Sequence, residues 1–166
     1  MEELKIIAQY TPAAIVVSAM DPMDYGMESS ISIVRQMKEA LPDRIHDRFL
    51  LDIGFLDEAS VRIFANLAQK VREHSGYSVG GAPCNGMYMW ESLKNRGEEV
   101  FRSALSATLG YVAAFGLDFL FVGPLRNVEF IAPAVGAADV YNRYELQSGD
   151  YNNRLPERHL MKAMFL

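Results

Sequence analysis

Ser78-Val-Gly-Gly-Ala-Pro-Cys-Asn-Gly86 is the stretch that decides how this chain folds. A run of strand length, Tyr77 to Ala82, closes here on small residues and an amide, and helical sequence follows. The same beat occurs three more times, at Ser18-Ala-Met-Asp21, Asp52-Ile-Gly54 and Phe121-Val-Gly-Pro124. Each closes an apolar run, and each precedes a stretch with helical spacing. Repeated strand-then-helix units predict an α/β fold with a parallel sheet. The polar residues collect at the strand ends, where α/β enzymes keep their chemistry. Four such units are half of an eight-unit barrel, so the expected fold is a TIM-type (βα)4 half.

Outward from that stretch, the elements follow in order. Ala13 to Ala19 is a continuous apolar run, as expected for a parallel strand buried on both faces. Ile31, Val34, Met37 and Leu41 give a helix from Glu28 to Leu41, stopped by Pro42 and Asp43. Arg48 to Ile53 is the second strand. Asp57 is placed to cap a helix from Glu58 to His74, with Val61, Phe64, Leu67, Ala68 and Val71 on one face and Gly76 as its C-cap. The third strand is weakened by its two glycines. A short helix from Gly86 to Lys94 ends at Asn95-Arg-Gly97, and Glu98 to Phe115 reads as the longest helix. Leu117 to Val122 is the fourth strand. A final helix runs roughly from Val128 to Tyr144, where Pro133 must kink or divide it. Residues 1–146 thus form the half-barrel domain, and the polar and aromatic stretch 147–166 reads as a tail that is loose or docks on a neighbour.

Bulk properties narrow the function. At 166 residues, half of them apolar, the chain is one domain with a sizeable core. A net charge of -5 and the lack of a basic stripe argue against nucleic-acid binding. Cys84 is the only cysteine, and His46, His74 and His159 are scattered, so neither a disulfide framework nor a metal-ligand spacing is present. The N-terminus lacks the basic and apolar regions of a signal peptide. The longest apolar stretch, Tyr111 to Val122, contains Asp118 and is too short to span a bilayer. The expected location is the cytoplasm, with no direct membrane insertion.

The candidates for chemistry lie at the strand ends: Asp21, Asp24, Asp52, Asn85 and the Gly123-Pro124 turn. Asn85 donates and accepts hydrogen bonds at once, and Gly80 and Gly81 before it let a flat ligand approach the backbone. Asp52 ends a buried strand, where a carboxylate is costly unless it binds something. An Asp after a strand serves equally as a cap or turn former, and this applies to Asp52 and more so to Asp21 beside Pro22. Asp118 starts its strand and reads as structural. Met20, Met23, Met27, Met87 and Met89 surround the same loops and either line a surface for a large apolar cofactor or fill core. Cys84 has no nearby His in sequence to make it a nucleophile. No GxGxxG, P-loop or GxSxG occurs.

Two segments carry a family resemblance. They are Ser78-Val-Gly-Gly-Ala-Pro-Cys-Asn-Gly-Met-Tyr-Met-Trp90 and Leu117-Asp-Phe-Leu-Phe-Val-Gly-Pro-Leu-Arg-Asn-Val-Glu-Phe-Ile-Ala-Pro-Ala-Val-Gly-Ala-Ala-Asp139. With Ala13-Ala-Ile-Val-Val-Ser-Ala-Met-Asp-Pro22 and Arg48-Phe-Leu-Leu-Asp52, they resemble the family of the tetrahydromethanopterin S-methyltransferase MtrH subunit and its bacterial relatives. The resemblance runs from about Leu4 to Tyr144. It implies an eight-stranded barrel that binds a methyl-tetrahydropterin, tetrahydromethanopterin or tetrahydrofolate. It also implies transfer of the N5 methyl group to the cobalt of a corrinoid protein. Asn85 and Asp52 would be the catalytic residues by this resemblance. Asp21, Gly80, Gly81, Asn85, Gly123 and Pro124 would line the pterin site, with no resident metal.

The chain is similar to the second half of that barrel, and the family's early-strand Asp and Asn have no counterpart. A lone half-barrel exposes two sheet edges. A methyltransferase reading therefore needs a second half-barrel, either another copy of the chain or a complementary polypeptide. The competing reading is a non-catalytic binding or scaffold partner that uses its open edge and Met-rich loops.

Overall fold

A computed structural model describes residues 6–146, apart from 8, 11, 22, 56 and 58. The expectation of a tail over 147–166 lies outside the described residues. Four strands form one parallel sheet in sequential order: β1 (Ile15–Ser18), β2 (Phe49–Asp52), β3 (Ser78–Gly81) and β4 (Phe119–Leu120). The helices between them are α1 (Met27–Ala40), α2 (Val61–Ser75), α3 (Pro83–Met89), α4 (Glu91–Lys94) and α5 (Glu98–Ala113), with α6 (Val128–Leu146) after β4. An unbroken 1-2-3-4 order of parallel strands lacks the reversal of a doubly wound sheet and is consistent with half of a barrel.

Register explains which residues face where. Val17, Leu51 and Val79 pair across three strands and are 4%, 0% and 0% exposed. They pack with Ile45, Ile53, Phe64 and Val71 between the sheet and its helices. The alternate row is Ser18, Asp52, Gly80 and Phe119, and one step earlier lie Val16, Leu50 and Ser78. Paired residues share a face, so these rows lie on the other side of the sheet. Val16 on that face is 51% exposed. The continuous apolar run of β1 reads as a strand buried on both faces, but within this chain only one face is covered. A second core lies under α3, α5 and α6, built on Met87, Leu105, Leu109 and Ile131.

Most elements lie within a few residues of their sequence-based positions, and the differences have local causes. The second helix is regular only from Val61. Asp57 still does cap chemistry: its Oδ1 accepts from the Ser60 backbone N–H at 2.7 Å, and its own N–H donates to Ser60 Oγ at 3.3 Å. Gly76 closes that helix in the left-handed region, φ 70°, donating to Arg72 O. The single helix expected from Gly86 to Lys94 is two, broken at Trp90. α6, at 19 residues, is longer than α5 at 16, against the expected order. Pro133 does not divide α6. The intrahelical bond it removes is that to the carbonyl of Glu129, an exposed residue whose acceptor is within reach of water. A 3-10 helix over Asp43–Arg48, unforeseen from the sequence, delivers Ile45 fully buried into the core.

Candidate functional site

The strand ends form two neighbouring groups. The first is built on β2 and β3. Asp52 is in register with Ser18 and Gly80, and its Oδ1 turns over the strand end to accept from the Gly54 N–H at 2.8 Å. Gly54 has φ 74°, and a Cβ there would meet Met20 Sδ at 2.7 Å, so the β2 exit is pressed against the β1 exit. A Cβ on Gly81 would lie 3.0 Å from Asp52 Oδ1 and 2.8 Å from Phe55. A Cβ on Gly80 would lie 2.1 Å from the Phe119 carbonyl oxygen. The two glycines are therefore required by close approach of β4 and of the Asp52–Phe55 turn.

The second group is built on the α3 N-terminus and the β4 exit. Asn85 is exposed in the first turn of α3. Cys84, 1% exposed, sets Sγ 3.0 Å from the Phe121 carbonyl oxygen, to which it donates, and 3.8 Å from Asn85 Oδ1. Burial pushes the Cys84 thiol up from its ordinary pKa. It is a neutral strut between α3 and β4, which removes it as a nucleophile. Gly123 turns the chain at φ 73°, and a Cβ there would meet Tyr88, Asn127 and Cys84 at 3.4 to 3.8 Å. Asn127 is 4% exposed and donates from Nδ2 to the Tyr88 hydroxyl at 2.8 Å and to Val122 O at 3.2 Å. Buried amides of this kind stay only when satisfied, and here the satisfaction fixes the Gly123-Pro124 turn.

The structure thus brings Asp52 together with Gly80 and Gly81, and Asn85 with Gly123 and Pro124 through Cys84. Asp21 stands apart in the β1 loop. Its Oδ1 accepts from Met23 N–H at 2.8 Å, while Asp24 Oδ1 accepts from Gly26 N–H at 2.9 Å. Both carboxylates shape that loop. The methionines divide: Met87 is core, Met20 and Met27 pack against core, and Met23 and Met89 are 91% and 69% exposed. Asp118 is structural, accepting from Val79 N–H at 2.9 Å and pairing with Arg72 at 3.1 Å. Phe119, Tyr88 and Asn127 escaped the sequence reading. Asn127 had a signal, since Asn directly before an apolar helix start is a capping pattern. An opening of about 410 Å³ lined by Ala13, Asp47, Arg48, Tyr77 and Ser78 lies at the opposite ends of the strands, where barrels are built for stability.

Comparison with known proteins agrees with this frame. A family model described as the tetrahydromethanopterin S-methyltransferase MtrH subunit matches residues 1–149. The corresponding subunit of the tetrahydromethanopterin S-methyltransferase of Methanopyrus kandleri is 26% identical, the match covering 83% of this chain and 50% of that protein. The chain spans about half the length of this curated relative. With nearly all of its described residues inside the family match, the chain belongs to the family of the tetrahydromethanopterin S-methyltransferase MtrH subunit.

Proposed function

We propose that this chain supplies the C-terminal half of a TIM-type (βα)8 barrel. The completed barrel moves the N5 methyl group of a methyl-tetrahydropterin, tetrahydromethanopterin or tetrahydrofolate, to the cobalt of a corrinoid carried by a partner protein. One observation carries the reading beyond family membership. Asp52 and Asn85 stand at the C-terminal ends of adjacent parallel strands, flanking two glycines whose backbone a flat ring can approach. In a parallel barrel that end is the mouth.

The chemistry fits these groups. When the methyl group leaves, the C–N5 bond breaks and its electron pair stays on N5. The cobalt(I) of the partner supplies the pair for the new Co–C bond. The chain needs no nucleophile of its own. It has to stabilise negative charge developing on N5, and a donor or a proton held there acts more strongly on the transition state than on the ground state. Asn85 Nδ2 is the proposed donor, with Oδ1 held toward the Cys84 thiol. Asp52 holds the pterin ring. Asp21, Gly80, Gly81, Gly123 and Pro124 complete this half of the site. Among the described residues no helix is long and apolar enough to cross a membrane, in keeping with a cytoplasmic place and attachment through partners.

Asn85→Ala in the completed barrel should lower methyl transfer to cob(I)alamin by at least about 100-fold, the scale of losing one oriented donor, with unchanged circular dichroism. Unchanged transfer would remove Asn85 from this role. The second reading, a non-catalytic scaffold, draws on Met23 and Leu125, which are 91% and 86% exposed beside the open strand ends. Pterin binding by the completed barrel without any transfer would favour it.

A further inference from the structure

We infer that the second half of the barrel is another copy of this chain, joined so that β4 of each copy pairs with β1 of the other. This rests on the reading of the chain as half a barrel and commits it to one partner. Three features of the molecule support it.

The first is α6. From Phe130 to Val140 nearly every residue is apolar, on all sides of the helix. Helices of that kind are buried all round. Yet Ser106 Oγ to Phe130 O, Asn142 to Ala113 O and the close approach of Gly110 to Ala134 all bind α6 to α5 alone. The second is the groove beside the outer edge of β4, about 300 Å³, lined by Leu117, Phe119, Leu120, Val122, Val128 and Ile131 among others. It is an apolar trough next to a strand whose outer edge is unpaired in the four-stranded sheet. The third is the opposite edge. β1 is also unpaired on its outer side, and Val16, Tyr10 and Ile6 there are 51%, 66% and 54% exposed.

Residues 147–166 are fewer than one further βα unit needs, about 30, so they cannot supply the missing strands. A second copy brings a β1 edge to each β4 edge and continues the order 1-2-3-4-1-2-3-4 with all strands parallel. One contact that differs on its two sides forms twice about a two-fold axis and so closes. Eight strands is the number at which inward side chains fill the interior. Val16, Leu50, Phe119 and Phe121 of each copy then meet across the axis. The barrel carries two Asp52–Asn85 sets, and neither has a second wall without the other copy.

The experiment is light scattering on the chain alone, with two variants at exposed positions. Val128→Glu burdens the β4 side, where an acidic residue in the first turn of α6 is tolerated by the helix. Val16→Glu burdens the β1 side. The unmodified chain should run at twice its own mass and no higher. Each variant alone should run as a folded monomer, its dimer weakened by at least about 100-fold from burying unpaired carboxylates. Mixed together they should regain the dimer, because one of the two junctions then carries no substitution. A monomeric parent chain, a ladder of larger species, or mixed variants that stay monomeric would each overturn the inference. A dimer that forms and complements but transfers no methyl group would leave this inference standing and remove the proposed function instead.

Discussion

Gly80→Ala tests the close approach of β3 and β4, on which the candidate site is built. An alanine Cβ at this position would sit 2.1 Å from the Phe119 carbonyl oxygen and 2.8 Å from its ring. Carbon and oxygen normally rest at about 3.3 Å or more, so β4 must move away by roughly 1 Å. Hydrogen bonds do not stretch that far. Those at risk are Phe121 N to Gly81 O at 2.9 Å and Asp118 N to Val79 O at 2.8 Å. Two bonds at about 1 kcal/mol each, plus roughly 1–3 kcal/mol for overpacking, give a loss of about 3 kcal/mol or more. The lowered unfolded-state entropy of alanine returns only about 0.4–1 kcal/mol. For a chain of this size that loss lowers Tm by about 6–12 °C. Gly76→Ala is the control. Nothing lies within 4 Å of a Cβ there, and only the positive φ costs, about 1–2 kcal/mol. Urea unfolding followed by circular dichroism compares the two. If Gly80→Ala is no more destabilising than Gly76→Ala, β4 does not press on β3 as described.

Three further outcomes follow from named contacts. Asn127→Ala leaves the Tyr88 hydroxyl and Val122 carbonyl without their donor and should cost about 2–3 kcal/mol in the same unfolding experiment. Asp118→Ala should cost only about 1 kcal/mol, chiefly from the Val79 N–H bond since the partly exposed pair with Arg72 is screened, and should leave pterin binding by the completed barrel unchanged. Cys84 should react with a maleimide far more slowly in the folded chain than in urea. Because burial raises its pKa, the neutral thiol contributes stability fully present below the unfolded value and lost as pH rises through the folded one. Cys84→Ser should therefore flatten the alkaline limb of the stability curve, and an unchanged limb would show that the thiol does not titrate with folding.

Much of the fold was legible because its signals are local. The apolar runs, the glycine at the end of α2 and the strand-then-helix beat depend on residues within a few positions of one another. The family's motifs share that locality, so the strand-end candidates could be named. The boundaries slipped where a neighbour intervened, as when Asp57 and Ser60 bonded to each other and delayed the regular start of α2. The unforeseen 3-10 helix has no long-period pattern to reveal it, being a single connector whose purpose is to bury Ile45.

By itself the sequence determined the order and kind of the elements and the set of polar residues at the strand ends. Periodicity and capping are properties of short stretches, and they hold wherever the chain goes. Tertiary structure decided which of those residues meet. Asn127 reaches Tyr88 across 39 positions, Cys84 reaches Phe121 across 37, and Asp118 reaches Val79 across 39. Only parallel pairing in one register creates such contacts, and a shift of one residue would turn Asp52 to the helix side. The same pairing decided that β1, apolar along its length, is covered on a single face, because coverage depends on what packs against a strand and not on what the strand contains.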